Sequence, residues 1–234
     1  MSLQVWLPLN GDLHNQGLKQ SSIITSTNFS SSNTGKIGTC MKITSTTDLK
    51  YIPNFNTDEL SFGGWFKFNK SEIEPIITGA TYSSSATTPT GNLLGNTNYG
   101  GIGLVWTGNN YYSSNSFNSI SVFATLRTSS VNNSTSGFTI DFDTWTHIVL
   151  TWNPTTHILS IYKNGILHNS KTFNNFTDGV SRTLYLNYKA IYGGNGPSLN
   201  IPIYCNDIRI YNHCLSNNEI KNWSKGLVLH YPLN

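Results

Sequence analysis

Apolar residues recur at every second position in short runs along this chain, and turn-forming residues separate the runs. The clearest run is Trp145-Thr146-His147-Ile148-Val149-Leu150-Thr151-Trp152, in which Ile148, Leu150 and Trp152 share one face before Asn153-Pro154-Thr155-Thr156 interrupts. Ile158 to Lys163 follows, then Asn164-Gly165, then Ile166-Leu167-His168. Asn-Gly accepts the two positive φ angles of a type I′ turn, so the sequence predicts a hairpin there and three consecutive antiparallel strands. Shorter runs at Val5 to Leu9, Cys40 to Ile43, Leu60 to Phe68, Gly103 to Trp106, Ser121 to Leu126, Thr183 to Leu186 and Asn206 to Tyr211 predict further strands. The one helical signal is Ser216-Asn217-Asn218-Glu219-Ile220, whose Ser and Glu form a capping box and predict a short helical turn near residues 216–222. Many short strands with almost no helix predict an all-β fold, an antiparallel two-sheet jelly-roll sandwich in one domain over residues 1–224. Two stretches rich in Ser, Thr, Asn and Gly, Tyr82 to Asn98 and Gly108 to Asn118, are expected as long loops.

Composition narrows the classes. Only 11% of the 234 residues are charged, whereas Asn, Ser and Thr together number 85 and aromatic residues reach 12%. Many aromatics with little charge argue against disorder. A net charge of +3 without a basic run gives no footprint for a phosphate backbone, so nucleic acid is not an expected partner. No apolar stretch approaches the ~20 residues of a membrane span, so membrane insertion is not expected either. The start, Met1 to Leu9, lacks a basic segment and an uninterrupted apolar core, which leads to the expectation of no secretion signal. Cys40, Cys205 and Cys214 form no metal spacing or CxxC unit and are expected as idle thiols. Trp65, Trp145 and Trp152 sit in strand runs and are expected in the core, with His147 as a hydrogen-bonded structural histidine. Asp207 and Arg209, two apart on one strand, are expected to pair. The last residues, Leu229-His230-Tyr231-Pro232-Leu233-Asn234, echo Val5-Trp6-Leu7-Pro8-Leu9-Asn10, so 225–234 reads as a tail or as the first strand of a following module.

These residues also carry a family resemblance. Trp145-Thr146-His147-Ile148-Val149 followed by Tyr162-Lys163-Asn164-Gly165 resembles the core of the laminin G-like, concanavalin A-like (pentraxin-like) jelly rolls. Leu7-Pro8-Leu9-Asn10-Gly11-Asp12 resembles the opening strand of those modules, Phe62-Gly63-Gly64-Trp65-Phe66-Lys67 an inner one, and Asn206 to Ser216 the closing one. The resemblance implies two stacked antiparallel sheets, one of them concave. It also implies a structural Ca²⁺ held by carbonyls near the first strand and an early loop, which on matching positions would involve Leu9 or Asn10, Gly38 and the Asp207 carboxylate, with Asp12 as a further ligand. Asn206 departs from the family pattern, which has Asp there.

Function is expected to be binding rather than catalysis. Glycoside hydrolysis needs two suitably spaced carboxylates. This chain has four Glu, and its i, i+2 carboxylate pairs, Glu72-Ile73-Glu74 and Asp141-Phe142-Asp143, do not match the E-x-D-x-E arrangement of hydrolases with this architecture. Sugars are read by aromatic stacking and neutral hydrogen-bonding groups. The candidate carbohydrate-binding cluster is Tyr99, Trp106, Tyr111 and Tyr112. The opening and closing motifs also resemble those of modules in bacteriophage tail, fibre and head-decoration proteins. The expectation is therefore a virion structural protein, made in the host cytoplasm, whose lectin-like module meets host-surface glycan and other virion proteins, with self-association left open. An architectural decoration protein that binds only virion subunits, or a secreted bacterial lectin module, are the alternatives.

Overall fold

The computed structural model of the chain describes residues 2–9, 15–18, 29–79, 89–97, 100–109, 119–127, 132–173, 176, 179–188 and 199–226. Its strands are β1 (Leu3–Leu7), β2 (Phe29–Thr34), β3 (Thr39–Ile43), β4 (Thr47–Asp48), β5 (Leu60–Lys67), β6 (Thr90–Asn96), β7 (Gly101–Asn109), β8 (Ser119–Arg127), β9 (Asn132–Ser134), β10 (Phe138–Ile140), β11 (Thr146–Asn153), β12 (Ile158–Lys163), β13 (Ile166–Thr172), β14 (Tyr185–Tyr188) and β15 (Ile203–Tyr211). Two helices, α1 (Lys70–Thr78) and α2 (Asn217–Trp223), complete the described elements. The first sheet runs β13-β12-β11-β5-β15-β3-β2 with β1 also on β15, and the second runs β10-β8-β7-β6-β14-β4 with β9 on β8. All their pairings are antiparallel, as the strand pattern predicts.

The alternation seen in sequence explains the two layers. Phe62 and Phe66 of β5, Ile148, Leu150 and Trp152 of β11, and Leu104 and Trp106 of β7 all enter one core between the sheets. The Asn164-Gly165 hairpin forms as expected, with φ of 51° and 81° at its two residues. Gly63 is required for a different reason: a Cβ there would collide with the Ile148 carbonyl of the neighbouring β11.

Three sequence expectations need correction. Helix α1 carries Pro75 in its interior and has no side-chain cap from Asn69, so local signals spoke against it. Tertiary contacts hold it instead: Ile73 and Ile77 are buried in the core, and Glu72 pairs with Lys42 at 2.6 Å. Strand β6 lies inside the stretch Tyr82 to Asn98 that reads as loop. A register shift between Asn92 and Leu94 sends both Leu93 and Leu94 into the core, which hides the two-residue period. Trp145 is only half-buried, its ring 5.4 Å from the Lys67 ammonium, whereas Trp65 and Trp152 are buried.

The edge of β15 is shared. Its second half pairs with β1, from Leu3↔Tyr211 to Leu7↔Ile208, and its first half pairs with β3, from Ile203↔Ile43 to Cys205↔Met41. β1 and β3 thus lie end to end along one edge, and the ladder against β5 shifts register between Asn206 and Arg209. At this bulge Asp207 adopts φ 51° and turns its carboxylate to the outer face of the sheet.

That carboxylate fastens three elements. Asp207 Oδ1 accepts from Trp6 Nε1 of β1 and Arg209 Nε, both at 2.8 Å, and Oδ2 accepts from Arg209 Nη2 and from Trp223 Nε1 of α2, both at 2.9 Å. The Arg209 guanidinium lies over the Trp6 and Trp223 rings, 5.2 and 5.4 Å from their centroids. The predicted ion pair is therefore present, and it is buried. Ser216 caps α2 as expected: its Oγ accepts from Glu219 N, while Glu219 Oε2 accepts from Ser216 N at 2.8 Å. The helix lays Ile220 and Trp223 on Val149, Tyr162 and Leu215, covering the outer face of the first sheet.

His147 sits beneath the helix, between the Trp65 and Trp223 rings at 5.2 and 4.8 Å. It is fully buried, but neither ring nitrogen has a hydrogen-bond partner, contrary to the expectation of a bonded histidine. Burial, aided by the Arg209 charge, pushes its pKa down to about 3.

Two outcomes follow from this layer. Asp207→Asn leaves the Arg209 charge buried without its counter-ion and is expected to cost roughly 3–5 kcal/mol in urea unfolding. His147 is neutral in the fold and takes up a proton near pH 6.5 when unfolded. Its contribution is therefore complete above about pH 6.5 and falls by about 1.4 kcal/mol per unit as pH drops towards 3. Unfolding measured across that window is expected to show this slope in the wild type and a shallower one in His147→Phe.

Candidate functional site

Among the described residues no helix covers the outer face of the second sheet, and alternation fixes which side chains reach it. Leu104 and Trp106 of β7, Val122 and Ala124 of β8, and Leu94 of β6 point to the core. Their neighbours Gly103, Val105, Phe123 and Thr125 therefore face outward, and the cross-strand partners follow. One row across the sheet reads Tyr188, Asn92, Val105, Phe123; the next reads Tyr185, Gly95, Gly103, Thr125.

Tyr185 and Tyr188 are three apart, so a regular strand would put them on opposite faces. Asn187 takes φ 53° and turns its side chain inward, where Nδ2 donates to the carbonyls of Ile43 and Ile201 at 3.1 and 2.9 Å. Both tyrosines therefore emerge on one face, half-buried, with rings stacked at 4.7 Å and 20°. Beside them Gly95 and Gly103 are paired so closely that a Cβ on Gly95 would meet the Gly103 Cα at 2.5 Å. Thr97 leans over this floor and donates to Asn92 Oδ1 at 2.9 Å.

Two buried polar atoms on this face are left without partners: Asn92 Nδ2 and Thr125 Oγ1. An unmade hydrogen bond on a buried group costs about 1–3 kcal/mol, so such groups call for an explanation. Together the two rows carry a half-buried aromatic step at one edge and, fully buried further in, an amide and a hydroxyl, with no carboxylate in either row. That is chemistry for a neutral, hydroxyl-rich surface.

The residues proposed from sequence fare differently. Trp106 is fully buried in the core, with its ring under Gly91, so it is not a binding platform. Tyr99, Tyr111 and Tyr112 lie outside the described residues; in the chain they fall between β6 and β7 and between β7 and β8, which are strands of this sheet. Sequence reasoning missed Tyr185, Tyr188 and Asn92. The run Thr183 to Leu186 was visible, but the left-handed step at Asn187 that recruits Tyr188 was not.

The calcium expectation was tested on the donor atoms. Asn10 and Asp12 lie outside the described residues. Gly38 has φ 65° and its carbonyl accepts from Gly35 N at 2.7 Å, closing a tight turn. The Asp207 carboxylate already holds four N–H donors on the outer face of the sheet. Gly38 and Asp207 are thus committed to partners within the fold, and among the described residues no cluster of three or more His, Cys, Asp or Glu is arranged to hold a metal. A cleft of about 480 Å³ lined by Gln4, Tyr51, Asp58, Glu59 and Asn212 is also committed: Asp58 accepts from Asn54 N, and Glu59 accepts from Asn153 Nδ2 and Cys214 N.

Comparison with known proteins agrees with this architecture. A family model described as the concanavalin A-like lectin/glucanases superfamily, laminin G-like in type, matches residues 44–221, and the chain belongs to that superfamily. Similar solved structures include the binding domain of Paraclostridial Mosquitocidal Protein 1, at 14% identity and TM-score 0.65 over 96% of this chain and 52% of that one. The botulinum neurotoxin serotype D binding domain matches at 15% identity and TM-score 0.61 over 97% and 52%. The serotype D domain in complex with N-acetylneuraminic acid matches at 16% and 0.59 over 97% and 52%. At these identities the likeness concerns the fold, and the chain spans about half the length of each. No curated protein matches the sequence.

Proposed function

We propose that this chain is a non-catalytic carbohydrate-binding module that engages glycan on the outer face of its second sheet, on the Tyr185–Tyr188 step next to Asn92. The observation that carries the reading is the stacked tyrosine pair, with the unpartnered Asn92 Nδ2 on the adjacent strand. A sugar ring presents an apolar face to aromatic rings and hydroxyls to amides, which matches both halves of that feature. Membership of a lectin and glucanase superfamily supports the class, and a similar domain in complex with N-acetylneuraminic acid supports the ligand type. The committed carboxylates favour binding over hydrolysis.

A glycan array is expected to give hits for the wild type, and Tyr185→Ala and Tyr188→Ala each to weaken the best hit about tenfold or more with unchanged melting temperature. No hits, or hits untouched by both substitutions, would remove this face from consideration. The setting follows from the resemblance of Leu7 to Asp12 and of the last residues to phage modules: display on a virion, with host-surface glycan as ligand and other virion proteins as partners. Immunodetection on purified particles checks it, and a protein recovered only from culture medium without particles would count for the secreted-lectin alternative.

A further inference from the structure

The superfamily fold leads one to expect carbonyls gathered for a cation near the first strand, and two such carbonyls do gather here, but on a side chain. Asn206 is fully buried at the point where β1 and β3 meet end to end against β15. Its Nδ2 donates to the Pro8 carbonyl, just beyond β1, and to the Thr39 carbonyl, at the start of β3, both at 2.9 Å. Its Oδ1 accepts from Ile37 N at 2.8 Å, in the turn that carries Gly38. With two acceptors on one side and a donor on the other, the network fixes which end of the amide is nitrogen. Both Nδ2 protons are used: one reaches the buried Pro8 carbonyl, which also accepts from Asp207 N at 3.1 Å, and the other the Thr39 carbonyl, two oxygens that a cation would otherwise draw.

We infer that the Asn206 amide replaces the cation of this fold: it joins the first strand to the early turn without metal, and the chain holds its structure and its face for ligand independently of calcium. One atom decides this. An aspartate at the same place would set an anionic oxygen against the Pro8 and Thr39 carbonyls, an all-oxygen set that repels itself unless a hard cation sits among them. Asp207 next to it supplies no alternative charge, since its carboxylate points to Trp6, Arg209 and Trp223 on the outer face.

The experiment is thermal unfolding with excess EDTA and with millimolar calcium chloride, for the wild type, Asn206→Asp and Asn206→Leu. The wild type is expected to melt at the same temperature in both. Asn206→Asp is expected to melt roughly 5–10 °C lower in EDTA and to recover most of that loss in calcium. Asn206→Leu, which has neither donors nor charge, is expected to be destabilised equally in both conditions. A wild type that calcium stabilises by several degrees overturns the inference. So does an Asn206→Asp protein indifferent to calcium or unfolded at every calcium concentration, because either outcome shows that the carbonyl pair is not a cation position relieved by the amide.

Discussion

A carboxylate taken out of water must find compensation on the spot, and the way Asp207 does so governs this structure. Four N–H donors from three elements converge on it: an indole from β1, a guanidinium from β15 and an indole from α2. Neither β1 nor α2 is held by its own local preference, since β1 is five residues long and α2 seven. The charge converts their docking into one event, because removing any partner leaves a buried ion short of its shell. The bulge that aims the carboxylate outward also parts the ladders of β1 and β3, so the same irregularity creates the gap that Asn206 fills.

How much of this was legible in the sequence depends on how local the information is. The Asn164-Gly165 turn, the Ser216 to Glu219 capping box and the alternation in β11 need only neighbouring residues, and each appears as expected. Asp207 and Arg209 share a strand face by spacing alone, so their pairing was legible too, whereas the two indoles that complete it arrive from opposite ends of the chain. β6 was hidden because a bulge broke its period, and α1 because Pro75 contradicts a helix whose stability comes from Ile73, Ile77 and the Lys42 contact. The candidate site was hidden for the same reason: its tyrosines share a face only through the backbone of Asn187. The identity of position 206 as Asn was visible from the start, but its meaning waited on which carbonyls lay within reach.

The two faces of the sandwich divide the labour. The outer face of the first sheet is closed by α2 and filled with indoles, a guanidinium and an unbonded histidine, a layer whose polar groups are spent on holding elements together. The second sheet carries uncharged polar groups and a tyrosine pair on the side that, among the described residues, no helix covers. The low charge of the whole chain acquires a role in this division. A surface so poor in charge imposes little long-range field, so the proposed recognition would rest on shape and short-range bonding and change little with salt.

Asn187 has a consequence for how such a face changes over generations. It is an interior residue, anchored to the Ile43 and Ile201 carbonyls, yet it decides whether one ring or two stands on the exterior. Asn is among the few side chains that tolerate its left-handed backbone. A lineage that replaced it would rotate Tyr188 away from Tyr185 without altering either ring. On the proposed reading, specificity would thus be heritable through a concealed position, and a survey confined to surface residues would overlook where the variation is written.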